Sequence, residues 1–287
     1  MKKLFESLYN YYWDRIQKRR NISDLIDQDD QEDVWINALI HFCNYAFERA
    51  GSPAFYQKAA KEAFEQNKGW LKNRSYWSEG IEQKLWKTFR DECNKNGLEN
   101  YNEKNNPMSP SDGEQISMVH FAWYETENQS IAKWATYCIE NDNLESAFEK
   151  LKKIRGVGNK IASFYLRDIY LLSENTNKNL KNRHLLQPID VWTRRAAQCL
   201  LPDQNATDEK CAKFLIDYED KYEMSYGTSN IAFWVLGSQI VDDEKSFINF
   251  VKGIKQNNTD TLRSQLEEKI SEWREWLTFL EKIHSEL

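Results

Sequence analysis

Residues Leu151–Asp168 read LKKIRGVGNKIASFYLRD. Upstream of the turn, Leu144, Ala147, Phe148, Leu151 and Ile154 recur at helical spacing. Downstream, Ile161, Ala162, Phe164, Tyr165, Leu166 and Ile169 do so again. Between them stand Gly156, Val157 and Gly158. Two glycines permit a positive φ and a close approach to the backbone, so the stretch predicts helix, tight turn, helix. The second helix opens directly after the turn. Its free N–H groups and the positive end of its dipole then point outward, which suits a phosphate. Lys152, Lys153, Arg155 and Lys160 surround that point. With Gly156, Gly158 and Asn159 they form an expected grip on a nucleic-acid backbone, one that reads no bases. Glycines that merely end one helix and start another are the plainer reading of G-x-G alone. The apolar registers and the basic flanks favour a DNA-binding hairpin.

Outward from the hairpin the chain reads as all-α. Val34 to Ala50 carries an apolar stripe at helical period, Gly51 can end it, and Ser52-Pro53 can open the next helix. Asn94 to Pro110 reads as a polar linker, and Ser111 to Glu114 as a capping box that starts a helix. Ser173 to Gln187 reads as a polar, basic loop. Further helices are expected over about Ile189–Leu201, Asp208–Lys221, Ser229–Val241 and Thr259–Glu286. The last carries Leu262, Leu266, Ile270, Trp273, Leu277 and Leu280, a stripe suited to packing on the body of the protein or on a protein partner. No strand pattern or internal repeat is visible. Three regions result: 1–110, 111–205 and 206–287.

Composition narrows the function classes. The chain has 287 residues, enough for a sizeable core, with only 10 Gly and 5 Pro to interrupt helices. No apolar run approaches a membrane span, and Glu6, Asn10 and Asp14 interrupt any signal-peptide core, so a cytoplasmic protein with no membrane partner is expected. Cys43, Cys93, Cys138, Cys199 and Cys211 show no C-x-x-C spacing and His41, His120, His184 and His284 are scattered, so no metal site is expected. The net charge of −6 disfavours nucleic acid until it is mapped. Residues 150–200 hold eleven Lys and Arg against three Asp and Glu, a local +8 on an otherwise acidic chain.

IRGVGNKIASFYLRD resembles the hairpin of the helix-hairpin-helix DNA glycosylase superfamily. QPIDVWTRRAAQCL resembles the segment that carries that superfamily's catalytic aspartate, here Asp190. Lys160 stands at the position that makes some members bifunctional. The archaeal type of 8-oxoguanine glycosylase looks closest. NYAFERAGSPAFYQKAA, from Asn44, resembles its early helices, and AFWVLGSQ, Ala232 to Gln239, its late helix near the base pocket. The resemblance spans about Val34 to Val241 and is most specific from Lys150 to Leu201. It implies two helical lobes with a cleft between them, 111–205 as the catalytic region, and C-terminal helices packing back on the N-terminal lobe. It implies double-stranded DNA carrying a modified base as partner, and N-glycosylase and AP lyase activity. The superfamily's iron–sulfur members end in four cysteines; no cysteine follows Cys211, so that cofactor is not expected. A structural monovalent cation at the hairpin is compatible with the resemblance. The loop Ser173 to Gln187 makes the spacing from Lys160 to Asp190 longer than in most members.

The implied chemistry assigns roles. A glycosylase flips its target nucleotide out of the stack and breaks the C–N bond through an oxocarbenium-like sugar, whose charge a carboxylate stabilises. Asp190 fits; taken alone it reads as a helix N-cap, and beside the hairpin it reads as catalytic. Lys160 would attack the sugar as a neutral amine. An ordinary lysine titrates at about 10.4, and burial with Arg155 nearby is expected to lower that. The alternative for Lys160 is a surface contact to phosphate. Trp192 and Trp234 are candidates for stacking on the flipped base and Gln239 for its edge, though either ring alone reads more readily as core. Two other readings remain: a glycosylase for another base, such as a hypermodified phage base, and a non-catalytic hairpin module that only grips DNA. A helical scaffold is a third, and it leaves the local charge unexplained.

Overall fold

The computed structural model describes residues 2–16, 34–48, 55–72, 80–98, 103–127, 129–173, 180–241, 243–256 and 258–286. The expected stop at Gly51, the start at Ser52-Pro53 and part of the loop Ser173 to Gln187 lie outside them. In chain order the longer helices among the described residues are α1 (Lys2–Tyr11), α2 (Val34–Ala46), α3 (Phe55–Gln66), α4 (Gly80–Lys95), α5 (Ile131–Glu140), α6 (Leu144–Leu151), α7 (Asn159–Leu172), α8 (Val191–Leu200), α9 (Asp208–Lys221), α10 (Thr228–Val235), α11 (Glu244–Lys255) and α12 (Thr259–Glu286). No strand occurs among the described residues, so the protein is all-α there. An isolated parallel bridge joins Ile116 to Ile154. No helix among the described residues is long and apolar enough to cross a membrane.

Local chemistry sets many of the helix starts. Side chains of Ser130, Asp190, Thr207 and Asp243 accept from the backbone N–H three residues on, closing the first turns of α5, α8, α9 and α11. Ser111–Glu114 does not start a helix. Asp112 Oδ1 accepts from Glu114 N and Gln115 N, and Gly113 takes φ +92, so the chain closes a tight turn instead. The helical turn begins later, at Met118, with Ser117 as its cap. The expected polar linker is not wholly solvated either: Asn106, Met108 and Ser109 are buried. α11 has no counterpart in the sequence reading, and the expected helix Ser229–Val241 is α10 followed by a π-helical segment, Leu236–Val241.

The chain forms two compact units, Gln17–Pro188 and, together, Met1–Ile16 with Ile189–Leu287. α1 packs on α10, which joins residues 1–16 to the helices after 189 in one unit.

In the unit Gln17–Pro188, α7 lies against α2, α5 and α6, and α3 against α4. Tyr45 meets Phe164 and Tyr165 edge-on at 5.0 and 5.3 Å, and Phe42 meets Tyr165 at 4.9 Å. Within this apolar contact sits a buried polar cluster. Tyr45 OH donates to Asp168 Oδ2 at 3.0 Å, and Arg167 Nε and Nη2 reach Asp168 Oδ1 at 2.9 and 2.8 Å. Hydrogen bonds to both carboxylate oxygens offset the cost of burying the charges. They fix the middle of α7, and with it the helix that leaves the hairpin.

In the other unit, Phe5 of α1 packs on Phe233 of α10 at 5.1 Å. Glu219 is fully buried; its carboxylate accepts from Gly227 N, Ser229 N and Ser229 Oγ, closing the start of α10. Trp192 of α8 meets Phe247 of α11 at 5.0 Å and packs against Gly237, where a Cβ would come within 2.5 Å of its ring carbons. Gly237→Ala must therefore displace Trp192, and is expected to cost about 1–3 kcal/mol as an overpacking change. Chemical denaturation checks this. A variant as stable as the parent would show that the Trp192 ring has room to move.

Candidate nucleic-acid interface

The hairpin is built from its hydrogen bonds upward. After α6 the chain tightens: Lys153 N donates to Lys150 O at 3.1 Å and Ile154 N to Leu151 O at 3.0 Å. Gly156 takes φ +76, the left-handed region that favours glycine. Val157 N returns to Ile154 O at 2.9 Å. Gly158, extended at φ −100 and ψ −175, is the N-cap of α7, and no side chain caps that helix. Its carbonyl accepts from Ala162 N at 3.0 Å, the first bond of the helix. The amides of Asn159, Lys160 and Ile161 precede that bond, so they have no partner within the helix. Ile154, Val157 and Ile161 are buried and hold the turn to the core, while Gly158 and Asn159 are exposed. The result is a row of outward N–H donors at the positive end of a 14-residue helix.

The basic neighbourhood differs from its sequence appearance. Among the described residues of 150–200, seven basic ones stand within ion-pair distance of a carboxylate: Lys150 with Glu125, Lys152 with Glu149, Arg155 with Asp112, Arg167 with Asp168, Lys181 with Asp142, Arg194 with Asp208 and Arg195 with Glu244. Most of these partners come from elsewhere in the chain. The local +8 is therefore largely answered by neighbouring carboxylates in the fold. Lys153 and Lys160 form no ion pair among the described residues; Lys153 is exposed and Lys160 half-buried. These two are the hairpin's open cations.

Arg155 does not face outward. It is 6% exposed, its Nη2 donates to Pro110 O at 3.1 Å, and the same nitrogen lies 2.8 Å from Asp112 Oδ2. It is engaged within the protein rather than on the expected phosphate face, because one guanidinium nitrogen carries two N–H donors and meets a carbonyl and a carboxylate together. Beside Arg155, the Asp112 carboxyl is held down to about 2. A depressed carboxylate contributes above its unfolded value of about 3.9 and loses that contribution as pH falls through the folded value. The pair is therefore complete at neutral pH. Asp112 was not among the sequence candidates; the turn dipeptide Asp112-Gly113 was its visible mark.

Lys160 lies in the unit Gln17–Pro188 and Asp190 in the other. Asp190 is half-buried and caps α8, its Oδ1 accepting from Thr193 N at 2.8 Å. Its second carboxylate oxygen is not needed for that bond. Trp192 packs against Gly237 and Phe247, with the Arg195 guanidinium 5.2 Å from its ring centre. Trp234 meets Tyr12 edge-on at 6.0 Å. Gln239 is exposed on the π-helical segment, its Nε2 donating to Ser238 Oγ at 3.3 Å. π-helical turns of this kind recur at functional sites. No group of three or more His, Cys, Asp or Glu among the described residues is placed to hold a metal ion. Comparisons with protein-family models, curated proteins and solved structures gave no match for this chain.

The two glycines make separable predictions. Gly156→Ala forces a Cβ into φ +76 and is expected to cost about 1–2 kcal/mol of stability. Gly158→Ala has an ordinary φ and open space around its Cβ, so thermal stability should stay within about 0.5 kcal/mol. Its methyl would nevertheless stand in the approach of a phosphate to the α7 amides. Calorimetry and duplex-DNA binding on the same two proteins check this. A Gly158→Ala protein with full affinity would place the contact elsewhere.

Proposed function

We propose that this chain is a DNA glycosylase of the helix-hairpin-helix type, acting in the cytoplasm on duplex DNA that carries a modified base, with 8-oxoguanine the first candidate. The reading carries with it two helical lobes and a cleft for the duplex. The observation that supports it most is the start of α7. There a helix opens without a side-chain cap, on glycine, beside two lysines that form no ion pair among the described residues. That arrangement suits one phosphate of a backbone and no base.

The catalytic assignment rests on the resemblance. Lys160, as the neutral amine, bonds to C1′ while the C–N bond to the base breaks. The base leaves with the bonding pair and takes up a proton. The C1′–O4′ bond then breaks as the nitrogen forms a double bond to C1′; O4′ keeps the bonding pair and takes one of the amine's protons, the other passes to solvent, and an imine results. β-Elimination then removes a proton from C2′ to a base, forms the C2′–C3′ double bond and expels the 3′ phosphate with the C–O bonding pair, which cuts the strand. Asp190 stabilises the positive charge on the sugar as the base departs. A monovalent cation at the turn would need main-chain carbonyls. Those of Lys153 and Ile154 already accept from Ile116 N and Val157 N, leaving each one lone pair for an ion. No step depends on that ion.

One observation favours a second reading. The Asp190 carboxylate has a structural use as the cap of α8, so a chain that only grips DNA would also keep it. The two readings separate in one assay. Duplexes each carrying one modified base, hypermodified phage bases included, are incubated with the protein, and base release and strand cleavage are read separately. Glycosylase activity requires release from at least one duplex, and the lyase step requires a borohydride-trapped cross-link that Lys160→Gln abolishes. Asp190→Asn should lose base release by about 100-fold or more while keeping the α8 cap and DNA affinity. Binding with no release from any duplex would assign the chain to the gripping module. Release with no trapped species would make the enzyme monofunctional.

A further inference from the structure

The turn of the hairpin does not stand alone. The strand-like residues on either side of Ile154 are strapped to the loop 110–117. Ile116 N donates to Lys153 O at 3.0 Å, and Arg155 N donates to Ile116 O at 2.9 Å. The Arg155 side chain repeats the link to the same loop through Pro110 O and Asp112. The residue immediately before Gly156 is thus held by its main chain and its side chain at once. The loop is itself closed by the Asp112 turn and by Asp112 N donating to Gln115 O at 3.2 Å. It is then anchored to α4. Glu82 accepts from Ser111 N at 2.6 Å and lies 3.1 Å from His120 Nδ1, and Ser117 N donates to Ser111 Oγ at 3.1 Å. A continuous polar chain runs from Glu82 through Ser111 and Asp112 to Arg155 and the turn.

We infer that Asp112 and Arg155 are positioning residues of the phosphate grip: they set the direction in which the α7 amides face, and neither touches the phosphate. This rests on the DNA-binding reading above. Arg155 is 6% exposed and its Nη2 is engaged by Pro110 O and Asp112, so a phosphate contact would require its burial to be undone. Asp112 is half exposed, and its negative charge close to a phosphate contact opposes binding by charge alone. A carboxylate with only that effect would strengthen DNA binding when removed. A carboxylate that positions the turn would weaken it. The two roles give opposite signs.

The test is fluorescence anisotropy of the full chain with a labelled duplex, over a series of salt concentrations, for the parent and for Asp112→Asn. The expected result is affinity about fivefold weaker at low salt, the size typical of coupled neighbours. The slope of log affinity against log salt should not change, because no phosphate contact is lost. Lys153→Ala calibrates the slope; loss of one direct phosphate contact lowers its magnitude by about 0.9. Arg155→Gln should weaken binding with the parent's slope, provided thermal melting shows it folded; if it does not fold, Asp112→Asn carries the test. Asp112→Asn protein that binds as tightly as the parent, or more tightly, overturns the inference and leaves the DNA reading standing. An Arg155→Gln slope reduced like that of Lys153→Ala also overturns it, by making Arg155 a direct contact. A parent protein with no salt-dependent DNA binding overturns the DNA reading and this inference with it.

Discussion

A helix that begins on glycine leaves its first N–H groups without a side-chain acceptor. In α7 those groups face out of a turn whose geometry requires Gly156 at positive φ and whose apolar residues, Ile154, Val157 and Ile161, are buried. An unsatisfied row of donors costs free energy unless water or an anion meets it. The surrounding structure maintains the arrangement instead of relieving it. The Tyr45, Arg167 and Asp168 cluster pins α7 to α2 from behind, and the Arg155 and Asp112 pair pins the turn from the side. The outward donors are thus the element that the packing of this unit preserves.

The charge distribution shows why electrostatics should be read in space. Along the chain, the basic residues of 150–200 crowd together. In the fold, seven of the described ones stand within ion-pair distance of a carboxylate, five of these from other segments, such as Glu125, Asp142 and Asp208. Surface pairs of this kind add little stability, about 0–1 kcal/mol each, but they reduce the field that a polyanion meets. Lys153 and Lys160 are different because they flank the α7 start and pair with no carboxylate among the described residues. A small number of open cations at a focused position is compatible with a protein whose net charge is −6.

The hairpin was legible in the sequence because every local signal agreed. Apolar registers, the glycine pair and the flanking lysines each described the same helix, turn and helix. The start of α8 was legible for the same reason, since Asp190 follows Pro188 and serves as a cap. Ser111–Glu114 failed because two local motifs competed. The serine hydroxyl answers Ser117 N, while Asp112 and Gly113 close a turn of their own. The role of Arg155 was not legible, because its partners at Pro110 and Asp112 are distant in sequence and only tertiary contact selects them. The seat of Trp192 on Gly237 was not legible, because it depends on the π-helical turn after α10, which no apolar period announces.

The grip is most directly tested by backbone amide chemical shifts recorded during titration with a short unmodified duplex. Amides that meet a phosphate shift strongly, and they do so whether or not the DNA carries a lesion. The largest changes are expected at Asn159, Lys160 and Ile161, with Gly156, Val157 and Gly158 following, and they should fade together as salt is raised. Saturable binding whose shifts fall elsewhere, with these amides unmoved, would contradict a phosphate grip at the start of α7.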